Sequence, residues 1–247
     1  MDRSLYLAMD GASRALASQA QISHNLANAS TVGFKALLSA AESAPIEGVG
    51  LPSRVGSRIG AQGFDGAEGA VMATGRDLDI ALAPDRWLAV QAPDGSTAYT
   101  RAGDLRLTPL GQLTTGAGHT VLGDGGPIAV PPASKLTIGA DGAVSLVPAG
   151  QGAQTQVEVG RLQIVALAPE QLARREDGLF AVASGAAPAA APGKVLTSGA
   201  LEGSNVSLAE TMVAMIENQR QFEMQVKAMR TAEENAEHTT GLLRLGG

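Results

Sequence analysis

The two ends of this chain carry apolar side chains at helical spacing, and the middle does not. Near the N-terminus, Leu5, Met9, Ala12, Leu16, Gln19, Ser23 and Leu26 fall at alternating steps of four and three, a heptad seam weakened by Gln19 and Ser23. Ala8, Ala15 and Ile22 widen the stripe. Asn28 and Gly33 follow, both types that tolerate the left-handed geometry of a helix exit. At the other end, Ser207-Leu208-Ala209-Glu210 fits a capping box. Leu208, Met212, Met215, Gln219, Phe222, Val226, Met229, Glu233, Ala236, Thr240 and Leu243 then keep the four-three rhythm. With no Gly or Pro between Val206 and Thr240, the pattern predicts a helix of roughly 35 residues, about 50 Å long. A helix that opens a chain and one that closes it pair only by bringing the termini together. A stripe longer than a small domain can cover marks an interaction surface.

The middle is rich in turn signals, drawing on 31 Gly and 12 Pro. Hydrophobic residues make up 45% of the chain but aromatics only 3%, so any core is aliphatic. Residues 35–76 show no sustained period and are expected to form an extended connector. Short strand-like runs then flank turns. Trp87–Gln91 and Thr97–Arg101 surround Asp94-Gly95, and Leu105–Leu107 and Gln112–Thr114 surround Pro109-Leu110-Gly111. His119–Leu122 and Pro127–Val130 surround Gly123–Gly126, while Lys135–Ile138 and Ala143–Leu146 surround Asp141-Gly142. One longer run covers Val157–Leu167, and Leu179–Val182 follows Asp177-Gly178. The expected fold class is therefore α+β. Residues 1–34 with 203–247 form a discontinuous coiled-coil domain, 35–76 the connector, and 77–202 a compact domain of short antiparallel strands.

Composition removes several functions. The net charge is −6 and no Lys/Arg run occurs, which argues against nucleic acid. No apolar run reaches 18 residues, so no membrane insertion is expected. The polar face of the last helix mixes Glu210, Glu217, Glu223, Glu234 and Glu237 with Arg220, Lys227 and Arg230, which does not suit a membrane surface. Met1–Tyr6 lacks the basic start of a cleaved secretion signal. Cys is absent, excluding disulfides and thiolate chemistry. His24, His119 and His238 have no ligand spacing. Gly123-Asp124-Gly125-Gly126 lacks the Lys-Ser/Thr of a phosphate loop. Asp104 with Asp124 is the best carboxylate pair available to a polysaccharide-acting enzyme, yet Asp in turns is ordinary turn chemistry. No catalytic residue and no cofactor are assigned. The sequons at Asn28 and Asn205 lie at helix boundaries and read as caps.

Four segments carry a family likeness. Asn25-Leu26-Ala27-Asn28-Ala29-Ser30-Thr31-Val32-Gly33-Phe34-Lys35 resembles the N-terminal signature of bacterial flagellar rod and hook proteins, with Ser30 where Asn or Val is commoner. Leu201–Ser207, Gln219–Glu223 and Tyr99-Thr100-Arg101-Ala102-Gly103 resemble three further elements of that family in order. The opening Met1–Met9, Asp177–Phe180 and the chain length favour the proximal-rod branch over the distal rod.

The resemblance implies a structural, non-enzymatic subunit, exported by the flagellar apparatus without cleavage. It would polymerise with copies of itself and with other axial proteins in the rod across the periplasm. It also implies that the terminal helices form the inner domain, with the connector bridging neighbouring subunits. The assembly interface is expected at Leu5, Met9, Leu16, Leu26, Asn28, Gly33 and Phe34, with Met212, Met215, Phe222, Val226 and Met229 on the last helix. Gln19 and Gln219 are expected to set register. A coiled-coil adaptor remains the alternative without the rod.

Overall fold

The computed structural model describes residues 2–45, 55–148, 150–151, 155–183 and 188–245. Two helices, α1 (Asp2–Ala27) and α2 (Leu208–Leu245), bracket all the strands, as the terminal periodicities predict. The chain divides into two compact units. One comprises Met1–Ala29, Leu37–Gly63 and Val206–Gly247; the other comprises Ser30–Ala36 and Phe64–Asn205. No helix is long and apolar enough to cross a membrane among the described residues.

The first unit is a helix pair with a two-stranded sheet of β1 (Leu37–Pro45) and β2 (Val55–Phe64). Ala15 and Gln19 meet Asn218, and Gly11 meets Gln225, so the helices run antiparallel. The buried face of α1 is Ala8, Ala12 and Ala15. It is one step around the helix from the seam that a count of large side chains selects. The physical reason is proximity: small residues let the backbones approach. A Cβ on Gly11 would lie only 2.7 Å from the Gln225 side-chain amide carbon. The connector expected at 35–76 is also more ordered than its composition suggests. It supplies β1 and β2 and then β3 (Val71–Ala73). Strands β1 and β2 are rich in Gly, Ala and Ser and show no sustained apolar alternation to betray them.

The second unit is antiparallel throughout its described strand pairs. After β3 come β4 (Ile80–Leu82), β5 (Arg86–Gln91), β6 (Thr97–Thr100), β7 (Leu105–Leu107), β8 (Leu113–Thr115), β9 (Thr120–Gly123) and β10 (Gly126–Pro127). Then follow β11 (Ala133–Ile138), β12 (Ala143–Pro148), β13 (Val157–Arg161), β14 (Ile164–Ala166), β15 (Leu172–Arg174), β16 (Phe180–Val182), β17 (Leu196–Ser198) and β18 (Ala200–Glu202). The largest sheet runs β15-β16-β6-β5-β9-β8-β7, with β10 added to β9 and β14 to β5. A three-stranded sheet β11-β12-β13 and the ribbons β17-β4 and β18-β3 complete the unit.

Strand β5 is central and is buried on both faces. Its alternation sends Leu88 and Val90 into the main aliphatic cluster with Leu105, Leu113, Val121 and Val144. Trp87 and Ala89 point into a second cluster with Tyr99, Val165 and Phe180. The run Val157–Leu167, read as one strand, is two. Strand β13 pairs with β12, and β14 pairs with β5. Between them the Leu162 N–H donates to the Gly142 carbonyl and the Gln163 N–H to the Leu122 carbonyl. The chain thus changes sheets without leaving an apolar run, a corner that periodicity alone does not reveal.

Candidate functional site: a helix seam and a buried ionic junction

The inner face of α2 repeats as Thr211, Met215, Asn218, Phe222, Gln225, Met229 and Ala232, alternating steps of four and three with every member at least half-buried. Asn218 is its buried polar residue. Its side-chain amide donates to the Ala15 carbonyl and to Gln19 Oε1, both at 2.9 Å. Gln19, expected to set register, thus meets Asn218 across the helix pair. Gln219, expected in that role, is exposed and donates to Glu223 within its own helix at 3.3 Å. One residue turns a helix by 100°, enough to move a side chain out of the seam.

Of the expected interface residues, Leu5, Leu26, Met215, Phe222, Val226 and Met229 are half-buried. Met9 and Leu16 are 50% and 58% exposed, and Met212 is exposed beside Val213, Ile216, Leu208 and Met224. Met212, Val213, Ile216 and Met224 lie about 120–160° around the helix from Asn218, at 100° per residue, whereas Leu208 shares the row of Met215. Both helices thus carry more apolar surface than their pairing covers. At the exit of α1, the Asn28 amide donates to the His24 carbonyl at 2.9 Å. Asn25 holds Leu37 twice, donating to its carbonyl at 3.0 Å and accepting its N–H at 2.9 Å, and Gln21 donates to the same carbonyl at 2.6 Å. At the start of α2 the Ser207 hydroxyl accepts the Glu210 N–H, as the capping box predicts.

In the second unit, three of the family-like segments converge on one carboxylate. Glu202 accepts from Lys35 Nζ at 2.8 Å, Arg101 Nε at 2.6 Å and the Gly69 N–H at 3.0 Å. The three residues are 1%, 2% and 3% exposed for Glu202, Lys35 and Arg101. Lys35 also donates to the Ala67 carbonyl, and Arg101 to the carbonyls of Leu82, Ala83 and Arg86. The Arg101 guanidinium lies 5.8 Å from the centre of the Trp87 ring. Burial pushes the Glu202 pKa upward, but Arg101, the Lys35 ammonium and the Gly69 N–H outweigh it and hold the carboxyl below its ordinary range. Burial lowers the Lys35 pKa against the pull of Glu202. Gly33 makes the approach possible. Its φ is +65°, its N–H donates to the Glu202 carbonyl, and a Cβ there would overlap the Arg101 backbone. Phe34 lies under Arg174, 5.5 Å from ring centre to guanidinium.

Asn205 closes the same region. Its Oδ1 accepts the Ala36 N–H at 2.7 Å, and its amide donates to the carbonyls of Asp65 and Ala67 at 3.0 Å. Sequence reading identified Asn205 only as a cap and did not pair Lys35 with Glu202, which lie 167 residues apart. The carboxylates considered for acid/base work are placed differently. Asp104 reaches Arg106 at 3.8 Å and packs over Gly116, while Asp124 is exposed in the turn after β9.

Comparison with known proteins identifies the family these segments resemble. Residues 5–35 match the model for flagella basal body rod proteins, 81–146 the D1 domain of the flagellar hook protein FlgE/F/G, and 197–242 the C-terminal region of flagellar basal body rod FlgEFG proteins. The chain is 43% identical to the flagellar basal-body rod protein FlgF of Salmonella typhimurium, over 99% of this chain and 100% of that one. It shows the same identity and coverage with FlgF of Escherichia coli. It is 34% identical to the basal-body rod protein FlgG of Bacillus subtilis, over 99% and 100% of the two chains. The matched ranges take in both helix ends, and the chain belongs to the FlgF-like family of flagellar basal-body rod proteins.

Proposed function

We propose that this chain is a structural subunit of the proximal part of the flagellar basal-body rod. The observation that carries the reading is the second apolar stripe, Met9 and Leu16 on α1 and Met212, Val213, Ile216 and Met224 on α2, exposed on helices that are already paired. Stripes of this kind stay exposed in a monomer and are buried when helices of neighbouring subunits pack against them. Head-to-tail repetition of such a contact builds an open helical array, and many packed helices give it the rigidity to transmit torque. The neighbours are copies of this chain and other axial subunits. The chain reaches them through the flagellar export apparatus, keeps its N-terminus, and assembles in the span across the periplasm.

The test replaces Leu16 or Met212 by Asp. Both side chains are outside the seam, so the purified protein folds with normal helicity, while rod incorporation and swimming are lost. A motile strain carrying both substitutions overturns the reading. Phe222→Asp, on the inner face, opens the helix pair itself and also abolishes incorporation while leaving the second unit folded. The likeness to FlgG favours a distal-rod subunit as the second reading. Restored motility in a strain lacking FlgG, but not in one lacking FlgF, would select it.

A further inference from the structure

The ionic junction has an order of assembly built into it. Residues 33–36 and 65–70 bond each other, Lys35 Nζ to the Ala67 carbonyl and the Asp65 N–H to the Ala36 carbonyl, and most of their other described polar partners lie in residues 202–205. Gly33 N–H donates to the Glu202 carbonyl, and Lys35 Nζ to its carboxylate. Asn205 takes the Ala36 N–H and supplies donors to Asp65 and Ala67, and its own N–H donates to the Phe34 carbonyl. Gly69 donates to Glu202, and Gly203 donates to the Ala70 carbonyl. Until residue 202 is present, closing this region would bury two cations. The remaining carboxylate near them is Glu68, half-exposed and 3.6 Å from Arg101. Unpaired buried charge is strongly unfavourable, so both cations stay in water and the N-terminal strap stays undocked.

We propose that Glu202 and Asn205 act as a closure lock: the strap of residues 33–36 and 65–70 docks only after the segment 200–205 arrives. In a chain that emerges N-terminus first, Lys35 then waits through the 167 positions that separate it from Glu202. The second unit completes itself only when almost the whole chain has passed, which keeps a partly emerged subunit from closing prematurely. The direction of emergence rests on the rod reading; the order of docking does not. A refolding experiment therefore separates the two, because loss of rod incorporation leaves the docking order unchanged.

The experiment uses the purified full-length chain, unfolded in urea and refolded by dilution. Pulsed hydrogen exchange follows the amides, and pulsed acylation reports the accessibility of the Lys35 amine. In the unsubstituted chain, protection of 33–36 and 65–70 and loss of Lys35 acylation appear together with protection of 200–205. They follow protection of β5, β6 and β9. In Glu202→Gln the strap amides lose at least about tenfold in protection while β5 and β9 keep theirs. Asn205→Ala removes bonds without stranding a charge. It lowers protection at Ala36, whose N–H donates to Asn205 Oδ1, and serves as the readout if Glu202→Gln does not fold. Strap protection or burial of Lys35 ahead of 200–205 in the unsubstituted chain overturns the lock, as does full strap protection in both variants.

Discussion

The two units solve opposite problems. The β unit satisfies itself: its central strand is covered on both faces, and its buried cations share a buried carboxylate. The helix pair leaves itself incomplete. On α1 its seam is lined by Ala8, Ala12 and Ala15, which bury little area, while Met9, Leu16, Met212, Val213, Ile216 and Met224 stay exposed. At roughly 25 cal/mol per Å² of apolar surface, an alanine seam contributes far less than the aliphatic core of the β unit. In the single chain the β unit covers its central strand, whereas the helix pair leaves Met9, Leu16, Met212 and Ile216 exposed.

The largest test of that contrast is Glu202→Gln. Removing one partner of a buried ionic cluster costs about 3–5 kcal/mol, and calorimetry on the full chain is expected to show the β unit melting earlier while the helix signal is little changed. Acid titration probes the same group. The folded pKa of Glu202 lies below its ordinary value of 4.5, so its contribution is full at neutral pH. That contribution declines once the pH falls below the unfolded value and is lost as the pH passes through the folded one. The substituted chain lacks this step. Next in size is Leu88→Ala, which empties a fully buried site and is expected to cost about 2–5 kcal/mol by urea unfolding.

Asn218→Ala moves the comparison to the helices. It removes two hydrogen bonds and leaves Gln19 facing an apolar gap, so a loss of about 1–2 kcal/mol is expected, read as faster exchange along α1 with the β unit unchanged. An equal effect on both units would show that they are not energetically separate. The smallest effect belongs to Leu16→Asp. Being exposed, it should shift the isolated chain by no more than about 0.5 kcal/mol in thermal unfolding, although assembly fails.

Much of this architecture is legible in the chain itself. The heptads gave both helices, and Asp-Gly pairs gave hairpins because Gly95, Gly142 and Gly178 all sit at positive φ. The face of each helix was harder to read. Large residues at Met9 and Leu16 outrank alanines in a hydrophobic count, yet close approach favours the alanines. Gln219 and Asn218 are equally polar on paper, and one helical step decides between them. Strands β1 and β2 carry no period. Lys35, Arg101 and Glu202 each sat inside a family-like segment, but no local pattern announces a pairing across 167 positions.

The only tryptophan gives the molecule an uneven voice. Trp87 belongs wholly to the β unit, nearly sealed from solvent, its indole N–H donating to the Leu167 carbonyl at 3.0 Å. Intrinsic indole emission is therefore a one-sided optical reporter. It reports on the side chains packed around it, Phe64, Tyr99, Val165 and Phe180. A fluorescence trace that stays flat while circular dichroism moves would be the spectroscopic sign of a subunit whose two halves keep separate accounts.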